Sequence, residues 1–220
     1  MKSHPLQPAA WIFDLDGTLV DTVETRITAW LRTFEEFRIP ANREQVARLI
    51  GSDGRRLARV VAEAAGQTSD SQPEEDIDRR AGENFSALNL EPRVLSGATQ
   101  LLDALDQHRQ RWAIATSSRR EQVGASVNAL KLARPPLIID GSHVEHAKPA
   151  PDLLLLAARE LDIAPSNGCY VGDAVWDMRA AVAAGMPVIG VVSGSATAAE
   201  LIEAGALFTA DDLTQLIEYA

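Results

Sequence analysis

Two carboxylates, a hydroxyl and an amine stand just past short apolar runs of this 220-residue chain. Asp14 ends Trp11-Ile12-Phe13, Thr116 follows Trp112 to Ala115, Lys148 lies in the loop after Leu137 to Ile139, and Asp173 follows Cys169 to Val171. A carboxylate opening into solvent can attack a phosphoryl group, and the aspartyl-phosphate so formed splits one hard step into two easier ones. Asp16, two residues further on, can protonate a leaving oxygen and later activate a water. The ammonium of Lys148 and the hydroxyl of Thr116, with nearby backbone N–H groups, suit the spread negative charge of such a transition state. Lys148 is one of three lysines against eighteen arginines. A compact ammonium suits a point contact with phosphate.

These residues need a scaffold that brings them together. From Gly97 onward apolar runs of strand length alternate with helical patterns. The helices are expected at about 98–107, 119–131, 152–161, 175–184, 198–204 and 212–219, and the strands at 112–115, 137–139, 169–171 and 188–192. Such alternation predicts an α/β fold, a Rossmann-like doubly wound parallel sheet covered on both faces. Ligand sites in such sheets lie beyond the carboxyl ends of the strands, where the four residues above converge.

Residues from about Arg43 to Leu90 differ. They are rich in Ala, Arg and Glu, with helical spacing at Val46, Leu49, Ile50 and at Leu57, Val60, Val61. A first helix over about 22–38 is stopped by Pro40. Gly51 and Gly54 bracket a break between two helices, and 69–78 is expected to be a polar loop before another. No strand is expected here. The chain thus divides into a core, 1–21 and 93–220, and an inserted helical cap, 22–92, with hinges near Asp21-Thr22 and Pro92 to Gly97.

The run Asp14-Leu15-Asp16-Gly17-Thr18-Leu19-Val20-Asp21 resembles the first motif of the haloacid dehalogenase superfamily. Ala115-Thr116-Ser117-Ser118, Lys148-Pro149-Ala150-Pro151-Asp152 and Gly172-Asp173-Ala174-Val175-Trp176-Asp177 resemble the second, third and fourth, in the family's order. A bare Asp-x-Asp-x-Thr arises by chance in roughly 3% of chains this long. The three further motifs, in register with the strands, make the match specific. The resemblance implies a phosphatase of the phosphoglycolate-phosphatase-like and sugar-phosphatase group, acting on a small phosphorylated metabolite. Asp14 is then the nucleophile, Asp16 the acid and base, and Gly17 and Ser117 further phosphate contacts. It also implies Mg2+ held by Asp14, the main-chain carbonyl of Asp16 and Asp173, with Asp177 in support one helical turn on. A hard cation relieves the repulsion between converging carboxylates and phosphate.

Other members of the superfamily fit less well. The dehalogenases generally lack a carboxylate at the position of Asp16. The ion-pumping ATPases depart there too and need a membrane segment. Phosphonoacetaldehyde hydrolases use a cap lysine, and Thr22 to Pro92 contains none. Beta-phosphoglucomutase shares all four motifs, but its characteristic cap histidine falls near Arg26 and its cap lysine has no counterpart. A mutase is therefore the alternative, and a non-catalytic binding module the more distant one. Substrate choice is expected in the cap, with Arg55 and Arg56 after the Gly51–Gly54 break as candidates to bind a carboxylate or second phosphate.

Plainer readings stand beside these. Asp173 or Thr116 can cap the helix that follows. Lys148, Arg55 and Arg56 can be solvated. Asp21 and Thr22 are expected to shape the turn and cap the first insert helix. His143 and His146 lack a third ligand at usable spacing and read as loop residues. Cys169, Trp11, Trp30, Trp112 and Trp176 read as packing residues.

Composition sets the outer limits. Hydrophobic residues make up 46% and charged residues 24%, as in soluble globular chains. The net charge of −10 repels phosphate backbones, so nucleic acid is not an expected partner. No apolar run approaches the roughly 20 residues of a membrane span. The first ten residues lack the apolar stretch of a secretory signal and read as a loosely ordered lead-in. One cysteine, Cys169, allows no internal disulfide and fits a reducing cytoplasm. A monomer or weak dimer is expected.

Overall fold

The computed structural model describes residues 7–67 and 73–220; the expected lead-in falls largely outside them. The chain opens with β1 (Ala10–Phe13), the ribbon strand β2 (Val20–Asp21), and helices α1 (Val23–Glu36), α2 (Arg43–Ala47), α3 (Gly54–Ala64) and α4 (Glu74–Leu88). It returns through β3 (Arg93–Val94), then alternates: α5 (Ala98–Gln107), β4 (Arg111–Ala115), α6 (Arg120–Ala129), β5 (Leu137–Ile139), α7 (Asp152–Glu160), β6 (Gly168–Gly172), α8 (Val175–Ala184), β7 (Val188–Val191), α9 (Ala198–Glu203) and β8 (Thr209–Ala210).

Six strands form one parallel sheet in the order β5-β4-β1-β6-β7-β8. β1 is buried on both faces, which is why Ala10 to Phe13 is continuously apolar. Its alternate side chains part to opposite sides. Trp11 and Phe13 join the core under α5, α6 and the C-terminal 3-10 turn. Ala10 and Ile12 join the core under α7, α8 and α9. Sequence order reverses about β1, with β4 on one flank and β6 on the other. That reversal is the switch point at which open α/β sheets bind ligands. Phe13 pairs with Ile114 and with Val171, so Asp14, Thr116 and Asp173 leave the sheet at nearly one level.

Helices α1 to α4 form a body with its own core, including Ile27, Trp30, Phe34, Val46, Leu57, Val61, Ile77 and Phe85. Trp176, at the start of α8, packs into that cluster and donates its indole N–H to the Arg48 carbonyl at 3.1 Å.

Three boundaries differ from expectation. β2 and β3 pair antiparallel, so the two connections expected as hinges are joined to each other. Each strand has only two residues, too few to show a period in sequence. α4 begins at Glu74, inside the expected loop 69–78, part of which lies outside the described residues. Pro73 precedes it and Glu74, Glu75 and Asp76 fill its first turn, where the helix dipole favours negative charge. The C-terminal segment expected as α-helix is a 3-10 helix over Leu213–Tyr219. Among the described residues no helix is long and apolar enough to cross a membrane.

Candidate active site

Asp14 sits at the carboxyl end of β1, its N–H donating to the Val171 carbonyl at 2.9 Å. Its Oδ1 lies 2.7 Å from Lys148 Nζ. The approach is oblique, and Oδ1 receives no directed hydrogen bond. Lys148 is buried to 1% exposure, and its ammonium reaches three oxygens. Besides Asp14, these are Asp177 Oδ1 at 2.7 Å and the Tyr170 hydroxyl at 3.0 Å. That hydroxyl also lies 3.0 Å from both Asp177 Oδ1 and the Ala115 carbonyl. Burial works against the lysine's charge, but Asp14 and Asp177 outweigh it and hold its pKa above the ordinary value. Burial drives Asp14 the other way, up to about 7, with Asp177 and Asp16 adding to the rise and Lys148 opposing it.

Asp173 accepts the Thr18 hydroxyl on Oδ1 at 2.7 Å. Burial, then Asp177 and Asp14, push its pKa well above the ordinary range. It does not cap α8, whose N-cap is Ala174. A Cβ at Gly17 or Gly194 would lie 2.3 or 2.0 Å from Asp173 Oδ2, so both glycines keep that oxygen clear. Oxygens of Asp14, Asp173 and Asp177 lie within 4.8 Å of one another, all buried. An all-carboxylate set of this kind fits a hard divalent cation. The fit is best at Asp14 and Asp173. Asp177 accepts from Lys148 and Tyr170 on Oδ1 and from the Ala174 N–H on Oδ2, which ties it to the lysine.

Asp16 is also buried but differently partnered. It accepts the Thr22 hydroxyl at 2.7 Å, the Ser118 hydroxyl at 2.5 Å and the Arg26 guanidinium at 2.8 Å. Burial raises its pKa, but Arg26 and these hydrogen bonds outweigh it, and the carboxyl stays below its ordinary value. Arg26 comes from α1, lies over the Phe85 ring at 3.5 Å, and reaches Ser118 and Gln122 as well. Asp14, Asp16, Arg26, Thr116, Ser117, Ser118 and Lys148 line one narrow cleft. Insert residues Trp30, Gly54, Leu57 and Asp78 form its far wall.

The structure therefore brings Asp14, Asp16, Thr116, Ser117 and Lys148 to one cleft, with Asp173 and Asp177 behind Asp14 and Lys148. The Thr116 hydroxyl accepts the Ser118 N–H at 3.1 Å, and Ser117 donates to the Gly51 carbonyl at 3.2 Å. Other expected contacts are placed elsewhere. Gly17 does not line the cleft. Its N–H donates to the Val20 carbonyl at 2.8 Å within the turn, and its positive φ of 86° with the Asp173 contact explains the glycine. Arg55 and Arg56 do not line the cleft either. Arg55 pairs with Asp53 at 3.0 Å and with the Glu145 carbonyl. Arg56 lies 5.0 Å over the Trp176 ring. Thr22 stands at the N-cap of α1 but makes no cap bond, since its hydroxyl turns to Asp16, and Asp21 pairs with Arg93.

Tyr170 and Arg26 were not among the expected site residues. Each has a signal in the sequence. Tyr170 is the one hydroxyl inside a strand buried on both faces, and such a hydroxyl needs a partner. Arg26 shares the helix face of Val23 and Trp30 at i−3 and i+4, a charge within an apolar stripe. Cys169 is packed, as expected, its thiol pushed up to about 12 by burial.

A family model described as haloacid dehalogenase-like hydrolase matches residues 11–191. The chain is 32% identical over 197 residues to the beta-phosphoglucomutase of Bacillus subtilis (strain 168), covering 84% of each. It is 29% identical over 189 residues to the fructose-1-phosphate phosphatase YqaB of Escherichia coli (strain K12), covering 83% of this chain and 96% of the relative. A solved structure of a hydrolase from Pseudomonas syringae superposes with a TM-score of 0.91 at 31% identity, covering 97% of both chains.

Proposed function

Since the chain belongs to the haloacid dehalogenase-like hydrolases, we propose that it is a magnesium-dependent phosphatase of a small phosphomonoester, with Asp14 as covalent nucleophile. The observation that carries this is the Lys148–Asp14 pair, 2.7 Å apart at the switch point of the sheet, with Asp173 beside it. Asp14 attacks phosphorus, an O–P bond forms to its carboxylate, and the bond to the leaving oxygen breaks. Asp16 protonates that oxygen, then takes a proton from the water that attacks the aspartyl-phosphate, releasing phosphate and restoring Asp14. Lys148, Thr116 and Ser117 neutralise or bind the phosphoryl oxygens. Mg2+ held by Asp14, Asp173 and the Asp16 carbonyl supplies further charge neutralisation when bound.

Arg26 and Ser118 hold Asp16 as a carboxylate, the form a base needs. The acid step then requires Arg26 to turn toward substrate. Residues 22–92 act as a cap over a core of 1–21 and 93–220, moving about the β2–β3 ribbon to exclude water and then admit it. The single buried thiol suits a cytoplasmic enzyme.

The test is phosphate release from a panel of sugar phosphates and phosphoglycolate, with Mg2+ or EDTA, for wild type and Asp14→Asn. Turnover that needs both Mg2+ and Asp14 is expected. Folded wild type that turns over nothing would overturn the proposal. A mutase is the second reading, favoured by the 32% identity to a beta-phosphoglucomutase. It predicts conversion of a sugar 1-phosphate to the 6-phosphate without phosphate release.

A further inference from the structure

Lys148 is fastened at two ends. Asp14, Asp177 and Tyr170 hold its ammonium. Its main chain is held from the insert. The Asp53 N–H donates to the Lys148 carbonyl at 2.7 Å. Asp53 Oδ2 accepts the neighbouring Ala147 N–H at 3.2 Å. Arg55, bound to the same carboxylate at 3.0 Å, donates to the Glu145 carbonyl. Ala147 and Lys148 are both buried, and buried peptide groups require partners. Two of the groups here, the Ala147 N–H and the Lys148 carbonyl, find theirs on the residue that starts α3. With the insert swung away, both would face solvent.

We propose that Asp53 is a positioning residue that couples closure of the insert to catalysis: only the closed insert seats the Lys148 loop so that the ammonium reaches Asp14. This rests on the phosphatase reading above. It also accounts for Arg55, which fastens the two loops to each other and does not face the cleft. Burial disfavours the Asp53 carboxylate, but Arg55 and the Ala147 amide outweigh it and keep the group below its ordinary pKa, so it is charged when it makes these contacts.

Two variants separate this role from helix capping. Asp53 Oδ1 caps α3 by accepting the Arg55 N–H at 2.9 Å, and Asn and Ser are equally good caps. Asp53→Asn keeps that acceptor and turns an NH2 group toward the Ala147 N–H. Asp53→Ser keeps the cap and has no second oxygen. The assay is hydrolysis of p-nitrophenyl phosphate with Mg2+, whose leaving group needs little from the insert or from an acid. Alongside it, amide exchange is measured over residues 145–150.

Both variants are expected to lower kcat by about 10- to 100-fold, the scale of a 1 Å misplacement, with KM changed less than about twofold. Exchange over 145–150 should accelerate while β1 and β6 stay protected, which loss of global stability would not produce. Unchanged kcat, or lowered kcat with exchange over 145–150 unaltered, would overturn the proposal. If wild type hydrolyses no phosphate ester, the phosphatase reading fails, and the exchange comparison decides the seating by itself.

Discussion

Tyr170→Phe removes one oxygen from a buried site and little else. The hydroxyl receives a hydrogen bond from Lys148 at 3.0 Å and stands 3.0 Å from Asp177 Oδ1 and from the Ala115 carbonyl. It has one proton, so it donates to one of those two at a time. Lys148 donates to that hydroxyl and to Asp177 Oδ1, while Asp14 Oδ1 stands 2.7 Å away as its ion-pair partner without a directed hydrogen bond. After the substitution one N–H of a fully buried ammonium has no acceptor. Leaving a buried polar group unpaired costs about 1–3 kcal/mol, more when it is charged. The ring keeps its place in the core under α7, α8 and α9, so little cavity term adds. For a chain of this size each kcal/mol lowers Tm by roughly 2–4 °C, giving a fall of about 2–12 °C. If about 1 kcal/mol of the loss is also felt in the transition state, kcat drops roughly fivefold. Differential scanning calorimetry and steady-state phosphate release on the same preparations measure both. A variant with wild-type Tm and wild-type kcat would refute the view that the hydroxyl completes the lysine's shell.

Two further outcomes follow from the carboxylate cluster. Asp14 and Asp173 have folded pKa values above their ordinary ones, Asp14 at about 7. The stability they contribute without a cation is present below an unfolded value near 3.8 and lost as pH rises through the folded one. Mg2+ at a hundred times its pH 8 Kd should therefore raise Tm by about 5–11 °C at pH 8, and the same concentration should raise it by less at pH 5.5. Equal shifts at both pH values in a thermal-shift titration would count against the assignment. Gly17→Ala puts a Cβ 2.3 Å from Asp173 Oδ2 at a φ of 86°. It should abolish Mg2+-dependent stabilisation and activity, whereas Gly66→Ala, with φ 74° and nothing within 4 Å, should cost only about 1–2 kcal/mol of backbone strain and leave kcat intact.

The core was legible because its signals are local. A strand buried on both faces must be an unbroken apolar run, and the residue that ends such a run in a parallel sheet stands at the ligand edge. Asp14, Thr116 and Asp173 were found in that way. Lys148, in the loop after a strand, was expected from the resemblance of its Lys-Pro-Ala-Pro-Asp run to the third motif, and the scarcity of lysines weighed against a solvated reading. Contacts made across long sequence separations were harder to see. Arg26 meets Asp16 from ten residues away but meets Ser118 and Gln122 from over ninety, and only the seating of α1 on the core unites them. Arg55 looked like a substrate ligand because its partners, Asp53 and the Glu145 carbonyl, compete for it in a manner that spacing does not reveal. The β2–β3 ribbon escaped notice because two-residue strands have no periodicity. Asp177 was expected to face the site because it lies one helical turn from Asp173. Its partnership with Lys148 depends on the loop after β5 reaching the start of α8, 29 residues further on.

The most direct measurement is acid quenching of the protein during turnover with Mg2+, followed by mapping of hydroxylamine-labile phosphate by mass spectrometry. Covalent catalysis through Asp14 predicts phosphate on the peptide containing Asp14, absent in Asp14→Asn, which also loses turnover. Phosphate release by Asp14→Asn at the wild-type rate, or an adduct on a different residue, would contradict it.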